Sequence, residues 1–257
     1  MEEQLWKACE DGDIGEVIKL LQNSQIDTNW LDPKYSMTPF YNACYEGQIE
    51  IAKLLLNDQR VDVNKANNYG FTPLLFACSE GHIDIVKLLL SNERVDINKG
   101  EEDDYTPFYM ACENGHIEIV KYLLDNGREI NINKALKTGV TPFYIACEKG
   151  YIEVVKLLLN NERVEIDKSN RNGYTPFYIA CQKGHIEIVE YIFKSGREID
   201  INKKDNDGKT ALGISKERST STQKFEWETE EEFQKAKRNC AKIIELIESF
   251  QLKQDQN

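Results

Sequence analysis

The chain has 257 residues, 40% of them hydrophobic and 30% charged, with 44 acidic against 32 basic side chains for a formal charge of −12. That surplus repels phosphate backbones and acidic lipid, which argues against nucleic acid and membrane surfaces as general partners. No stretch is long and apolar enough to span a bilayer, and Met1-Glu2-Glu3-Gln4 lacks the segments of a signal peptide, so the cytosol, or else the nucleus, is the expected compartment.

Leu5-Trp6-Lys7-Ala8-Cys9, followed by Ile14, Val17, Leu20 and Leu21, predicts two short amphipathic helices. The first phrase returns in stronger form at Thr38-Pro39-Phe40-Tyr41-Asn42-Ala43-Cys44. It recurs from Thr72 to Cys78, Thr106 to Cys112, Thr141 to Cys147 and Thr175 to Cys181. The steps are about 34 residues, and a period of that size means a stacked array of small units. Glu3 and Gln4 stand where later units have Thr-Pro, which marks residues 1–36 as a degenerate capping unit.

The unit from Thr141 to about Lys168 shows the logic. Thr141 suits an N-cap, and Pro142 is tolerated at the first helical position because its missing N–H would be unpaired there. Phe143, Ala146 and Cys147 fall on one face, with small residues where a neighbouring helix must come close. Gly150 ends the helix, and Ile152, Val155, Leu158 and Leu159 stripe a second one running back against it. Each helix is shorter than the roughly 12–15 residues that persist alone in water, so stability must come from neighbouring units.

The last unit opens at Thr210-Ala211-Leu212-Gly213-Ile214, but its second helix is displaced by an insertion at about 216–232. The apolar pattern resumes at Ile243, Ile244, Leu246 and Ile247. Within the insertion, Phe225 and Trp227 either fold back to shield the end of the stack or form an alternative docking element.

Thr-Pro-Phe-Tyr-x-Ala-Cys-x-x-Gly-His-Ile-Glu-Ile-Val-Lys-x-Leu-Leu resembles the ankyrin repeat, whose motif has Thr-Pro-Leu-His-x-Ala-Ala and a similar Gly-His turn. The chain departs from it at the motif histidine, which is Tyr41, Leu75, Tyr109, Tyr144 or Tyr178 here. The resemblance implies an all-α solenoid of about seven helix-turn-helix units joined by β-hairpin-like fingers. Residues 1–257 are expected to form one domain, with five full repeats over 37–204 and a C-terminal capping repeat over 205–257. It also implies a non-catalytic protein-protein interaction module, with a concave face lined by the finger tips and the exposed side of each first helix.

Read onto this sequence, that face comprises Tyr35, Met37, Tyr45 and Glu46, then Tyr69, Phe71 and Glu80, then Asp103, Asp104, Tyr105 and Glu113. Further along it comprises Val140, Lys149, Arg171, Tyr174 and Lys183. The row before each Thr (Met37, Phe71, Tyr105, Val140, Tyr174) is apolar or aromatic, suited either to binding or to packing finger against finger. Aromatic anchors rimmed by acid suit a partner protein with a basic and apolar surface. The alternative is a regulatory module that masks or positions an enzyme through the insertion. A monomer is expected.

No catalytic residue, cofactor or metal is expected. Six of seven cysteines share one repeat position and read as buried thiols, with Cys240 in the core of the last helix, and no Cys-x-x-Cys pair offers zinc ligands. His82, His116 and His185 all follow a turn glycine and read as helix-start residues. Arg60, Arg94, Arg128, Arg163 and Arg197 recur at a fixed offset beside acidic residues, which predicts surface ion pairs rather than a phosphate track.

Overall fold

Every Thr-Pro phrase starts a helix, because the threonine hydroxyl takes a backbone N–H that the first turn leaves over. Thr38 Oγ1 accepts from the Tyr41 N–H at 3.0 Å, and the same bond forms from Tyr109 to Thr106, Tyr144 to Thr141 and Tyr178 to Thr175. The structure, a computed structural model, describes residues 1–225 and 228–254. The described residues form fourteen helices and no strands, in two compact units, Met1–Lys134 and Ala135–Asn257.

The first unit holds four helix pairs: α1 (Glu2–Asp11) with α2 (Ile14–Leu21), α3 (Pro39–Tyr45) with α4 (Ile49–Asn57), α5 (Pro73–Glu80) with α6 (Ile83–Leu90), and α7 (Pro107–Glu113) with α8 (Ile117–Asp125). First helices stack as α1 on α3, α3 on α5 and α5 on α7, and the second helices stack in the same order. Ala43, Cys44, Ala77, Cys78, Ala111 and Cys112 are fully buried along that seam, where their small side chains let backbones approach.

The second unit holds α9 (Pro142–Lys149) with α10 (Ile152–Leu159), α11 (Pro176–Lys183) with α12 (Ile186–Lys194), and α13 (Ala211–Thr220) with the long α14 (Glu230–Gln254). All seven cysteines are buried and unbridged. Burial pushes the Cys9 and Cys240 thiols up to about 12, because a thiolate would lose its hydration there.

The fingers are tight turns rather than strands. In five of the six that precede a Thr-capped helix, one side chain collects the turn's backbone N–H groups; the sixth has Leu136 at that place and closes through backbone bonds alone. Asn67 Oδ1 accepts from Tyr69 and Phe71 at 3.0 Å, and Asn170 Oδ1 accepts from Asn172 and Tyr174. Asp32, Glu101 and Asp205 act alike. Three of the motif tyrosines reach these same residues. Tyr41 Oη accepts from Asn67 Nδ2 at 3.2 Å, Tyr144 Oη from Asn170 Nδ2 at 3.2 Å, and Tyr178 Oη donates to Asp205 at 2.8 Å. The tyrosine that replaces the motif histidine thus ties a first helix to the finger that follows.

The arginine row corrects the ion-pair expectation. Arg60 does pair with Asp58 at 2.7 Å, but it also donates to the Leu21 and Asn23 carbonyls. Arg94 donates to the carbonyls of Asp58 and Val61, Arg128 to that of Val95, and Arg197 to those of Leu159, Asn161 and Val164. Each of these guanidinium groups reaches into the preceding repeat, to the end of its second helix or the loop beyond, where backbone acceptors lack partners.

Candidate partner-binding face

In the first unit the residues expected on the face divide by exposure. Met37 is 9% exposed, and its N–H is held by Asp32 Oδ1 at 2.7 Å, so it belongs to the packing. Its place in the expected binding row is corrected accordingly: close to a buried Thr, the chain turns that side chain inward. Tyr35, Tyr45 and Tyr69 are 38%, 43% and 66% exposed. Glu46, Glu80 and Asp103 are exposed as well, whereas Phe71, Asp104, Tyr105 and Glu113 are half-buried.

Internal contacts hold these side chains. The Tyr45 ring stacks on Phe76, centroids 4.8 Å apart at 28°, and Phe76 also meets Tyr41 and His82. Phe76 was not among the expected face residues, although it stands one helical turn before Glu80. The Tyr105 ring meets Tyr109 edge-on at 5.3 Å. Burial raises the Tyr105 hydroxyl's pKa, and the carboxylates of Glu113, Glu101 and Asp103 add to the shift. Asp104 takes the left-handed conformation (φ 72°) that four other fingers give to glycine and the first gives to Ser36, and its carboxylate pairs with Lys134 at 3.0 Å. Lys34 Nζ lies 4.5 Å above the Tyr35 ring.

In the second unit Val140 and Tyr174 are half-buried, and Tyr174 lies flat on Tyr178, 4.7 Å apart at 3°. Lys149 and Arg171 are exposed, and Lys183 is half-buried. The Arg171 N–H donates to the Thr138 carbonyl at 3.0 Å, so its finger is tied to the one before.

The insertion is largely ordered into the fold. The α13 helix runs on to Thr220, and α14 begins at Glu230, thirteen residues before the expected Ile243. Arg218 of α13 and Glu228, two residues before α14, form a buried ion pair. The Arg218 guanidinium lies between the rings of Phe225 and Phe233, 4.6 and 4.8 Å from their centroids. Glu228 Oε2 also accepts from the Phe225 N–H at 3.0 Å. Phe225 is half-buried, and Trp227 lies outside the described residues.

The first half of α14 closes over the end of α11: Asn239 donates to the Gly184 carbonyl at 2.8 Å and Cys240 to that of Cys181 at 3.2 Å. Alongside runs a groove of about 670 Å³ whose lining includes Lys149, Gly150, His185, Glu232 and Lys235. His185 Nε2 lies 2.9 Å from the Glu148 carbonyl, and burial lowers its pKa. Nothing in the 34-residue pattern announces this groove, because one wall comes from the insertion.

Among the described residues no group of His, Cys, Asp and Glu could hold a metal ion, and no helix is long and apolar enough to cross a membrane. A family model described as ankyrin repeats (3 copies) matches residues 5–101, 59–134 and 93–170, and one described as ankyrin repeats (many copies) matches residues 161–214. No curated protein matches the chain.

Proposed function

Because the chain belongs to the ankyrin-repeat family, whose repeats generally act as protein-protein interaction modules, we propose that it binds a partner protein through its finger tips and first helices. The observation that carries this reading is the exposure of Tyr35, Tyr45 and Tyr69 while the motif tyrosines of the same unit are buried. Exposed aromatics beside Glu46, Glu80 and Asp103 suit a partner with a basic and apolar surface, since rings supply contact area at low entropic cost. Ankyrin-repeat proteins are typically non-catalytic, and we assign this one no reaction. The seven unbridged thiols support a reducing compartment such as the cytosol, and a monomer remains our reading of the assembly state.

The insertion is the rival contact surface, for masking or positioning an enzyme. Its Phe225, Arg218 and Glu228 are engaged with one another, which speaks for a structural role instead. Binding of a captured partner to the full chain separates the two. Loss in a Tyr35→Ala/Tyr45→Ala/Tyr69→Ala variant with unchanged helical circular dichroism supports the face. Loss in Phe225→Ala alone, with the tyrosine variant still binding, would transfer the function to the insertion.

A further inference from the structure

We propose that the face of the first unit selects arginine over lysine in the segment it binds, an inference that rests on the protein-binding reading above. The Tyr45 ring has Phe76 against one side and is still 43% exposed, so its other side faces solvent as a flat platform held in place. Two exposed carboxylates belong to the same part of the face. Glu46 is the next residue and has no ion-pair partner among the described residues. Glu80 stands on α5 one turn beyond Phe76, and among the described residues its only hydrogen bond is a 3.5 Å contact from Ser79. At four residues' spacing on one helix, Glu80 and Phe76 share a face, which puts the carboxylate on the side of α5 that carries the ring stacked on Tyr45.

A fixed ring with exposed carboxylates on the same part of the face discriminates between the two basic side chains. A guanidinium is planar, weakly hydrated and bears donors in a fork, so it stacks on the ring while its edge meets a carboxylate. An ammonium is a compact, strongly hydrated charge that gains Coulomb attraction from the carboxylates but little from the plane. Tyr69, the most exposed of the three tyrosines, offers a further ring to the same segment.

The test uses the full chain and two synthetic peptides of equal length, one alternating arginine with alanine and the other lysine with alanine, titrated by calorimetry. The arginine peptide is expected to bind about tenfold more tightly. Tyr45→Leu should bring the ratio close to one with little change for the lysine peptide. A Glu46→Gln/Glu80→Gln variant should weaken both peptides by similar factors. Equal affinities in the unaltered protein, or a preference that survives Tyr45→Leu, would overturn arginine selection yet leave the protein-binding reading standing if the Gln variant still weakens both. Binding of neither peptide would overturn the inference together with the basic-partner reading beneath it.

Discussion

His116 fills the space that a side chain on Gly81 would need. Its Nε2 lies 2.8 Å from the Ser79 carbonyl, and its Cε1 would come within 2.7 Å of a Cβ built on Gly81. The same relation joins His185 to Gly150, at 2.6 Å. At these two places the glycine of one turn makes room for the histidine of the next, whereas His82 meets Phe76 and leaves the space beside Gly47 open.

Gly81→Ala should therefore cost more than the left-handed backbone alone predicts. Both Gly81 (φ 82°) and Gly47 (φ 70°) are left-handed, but a Cβ on Gly47 meets nothing within 4 Å. Urea unfolding should show a loss of roughly 1–2 kcal/mol for Gly47→Ala and a larger one for Gly81→Ala. Equal losses would show that the histidine yields freely.

Replacing Arg94 with methionine should destabilise the protein by roughly 1–3 kcal/mol, because two backbone carbonyls lose a charged donor. These acceptors are neutral, so the loss should persist in high salt, where an exposed ion pair would fade. A loss that vanishes in molar salt would restore the ion-pair account.

The buried His185 makes stability pH-dependent. Its folded pKa is lowered from the ordinary 6.5, chiefly by burial, with Lys183 and Lys235 adding repulsion. Below that ordinary value the unfolded chain takes up the proton more readily than the folded one, so stability falls as pH drops from neutrality. The contribution is fully present above 6.5 and lost towards the lower folded value. Melting curves should show this slope reduced in His185→Gln, whose amide can still meet the Glu148 carbonyl.

Core and face should respond differently to truncation. Leu158 is fully buried in α10, and Leu158→Ala is expected to cost about 2–5 kcal/mol. Tyr69→Ala removes a largely exposed ring and should change stability by less than about 0.5 kcal/mol. A large drop in melting temperature for Tyr69→Ala would make that ring part of the scaffold.

The repeats were legible because threonine caps, turn glycines and small seam residues recur in register, each for a local reason. The orientation of face residues was less so: Met37 and Tyr69 both lie at a finger tip, and only the folded turn sends one inward and the other out. The start of α14 does carry a signal in the sequence. Phe233, Ala236, Cys240, Ile243 and Ile247 form a buried stripe at helical spacing, masked by the small size of its middle members. Thr229 and Glu232 form a reciprocal cap, the Ser/Thr-x-x-Glu pattern of a helix start. The Arg218–Glu228 pair had no such mark, since its members stand ten positions apart, at no helical or strand spacing. The carbonyl partners of the arginines are not legible in sequence, because they lie about 33–39 residues earlier and only stacking brings them near.

The backward reach of the arginines gives the array a polarity under truncation. Trimming from the carboxyl end strips a cation from the repeat left behind and bares its carbonyls, as losing Arg60 would bare Leu21 and Asn23. Trimming from the amino end leaves an arginine idle on an intact repeat, which solvent can satisfy. Shortened versions of this chain should accordingly tolerate loss of their leading module better than loss of their trailing one.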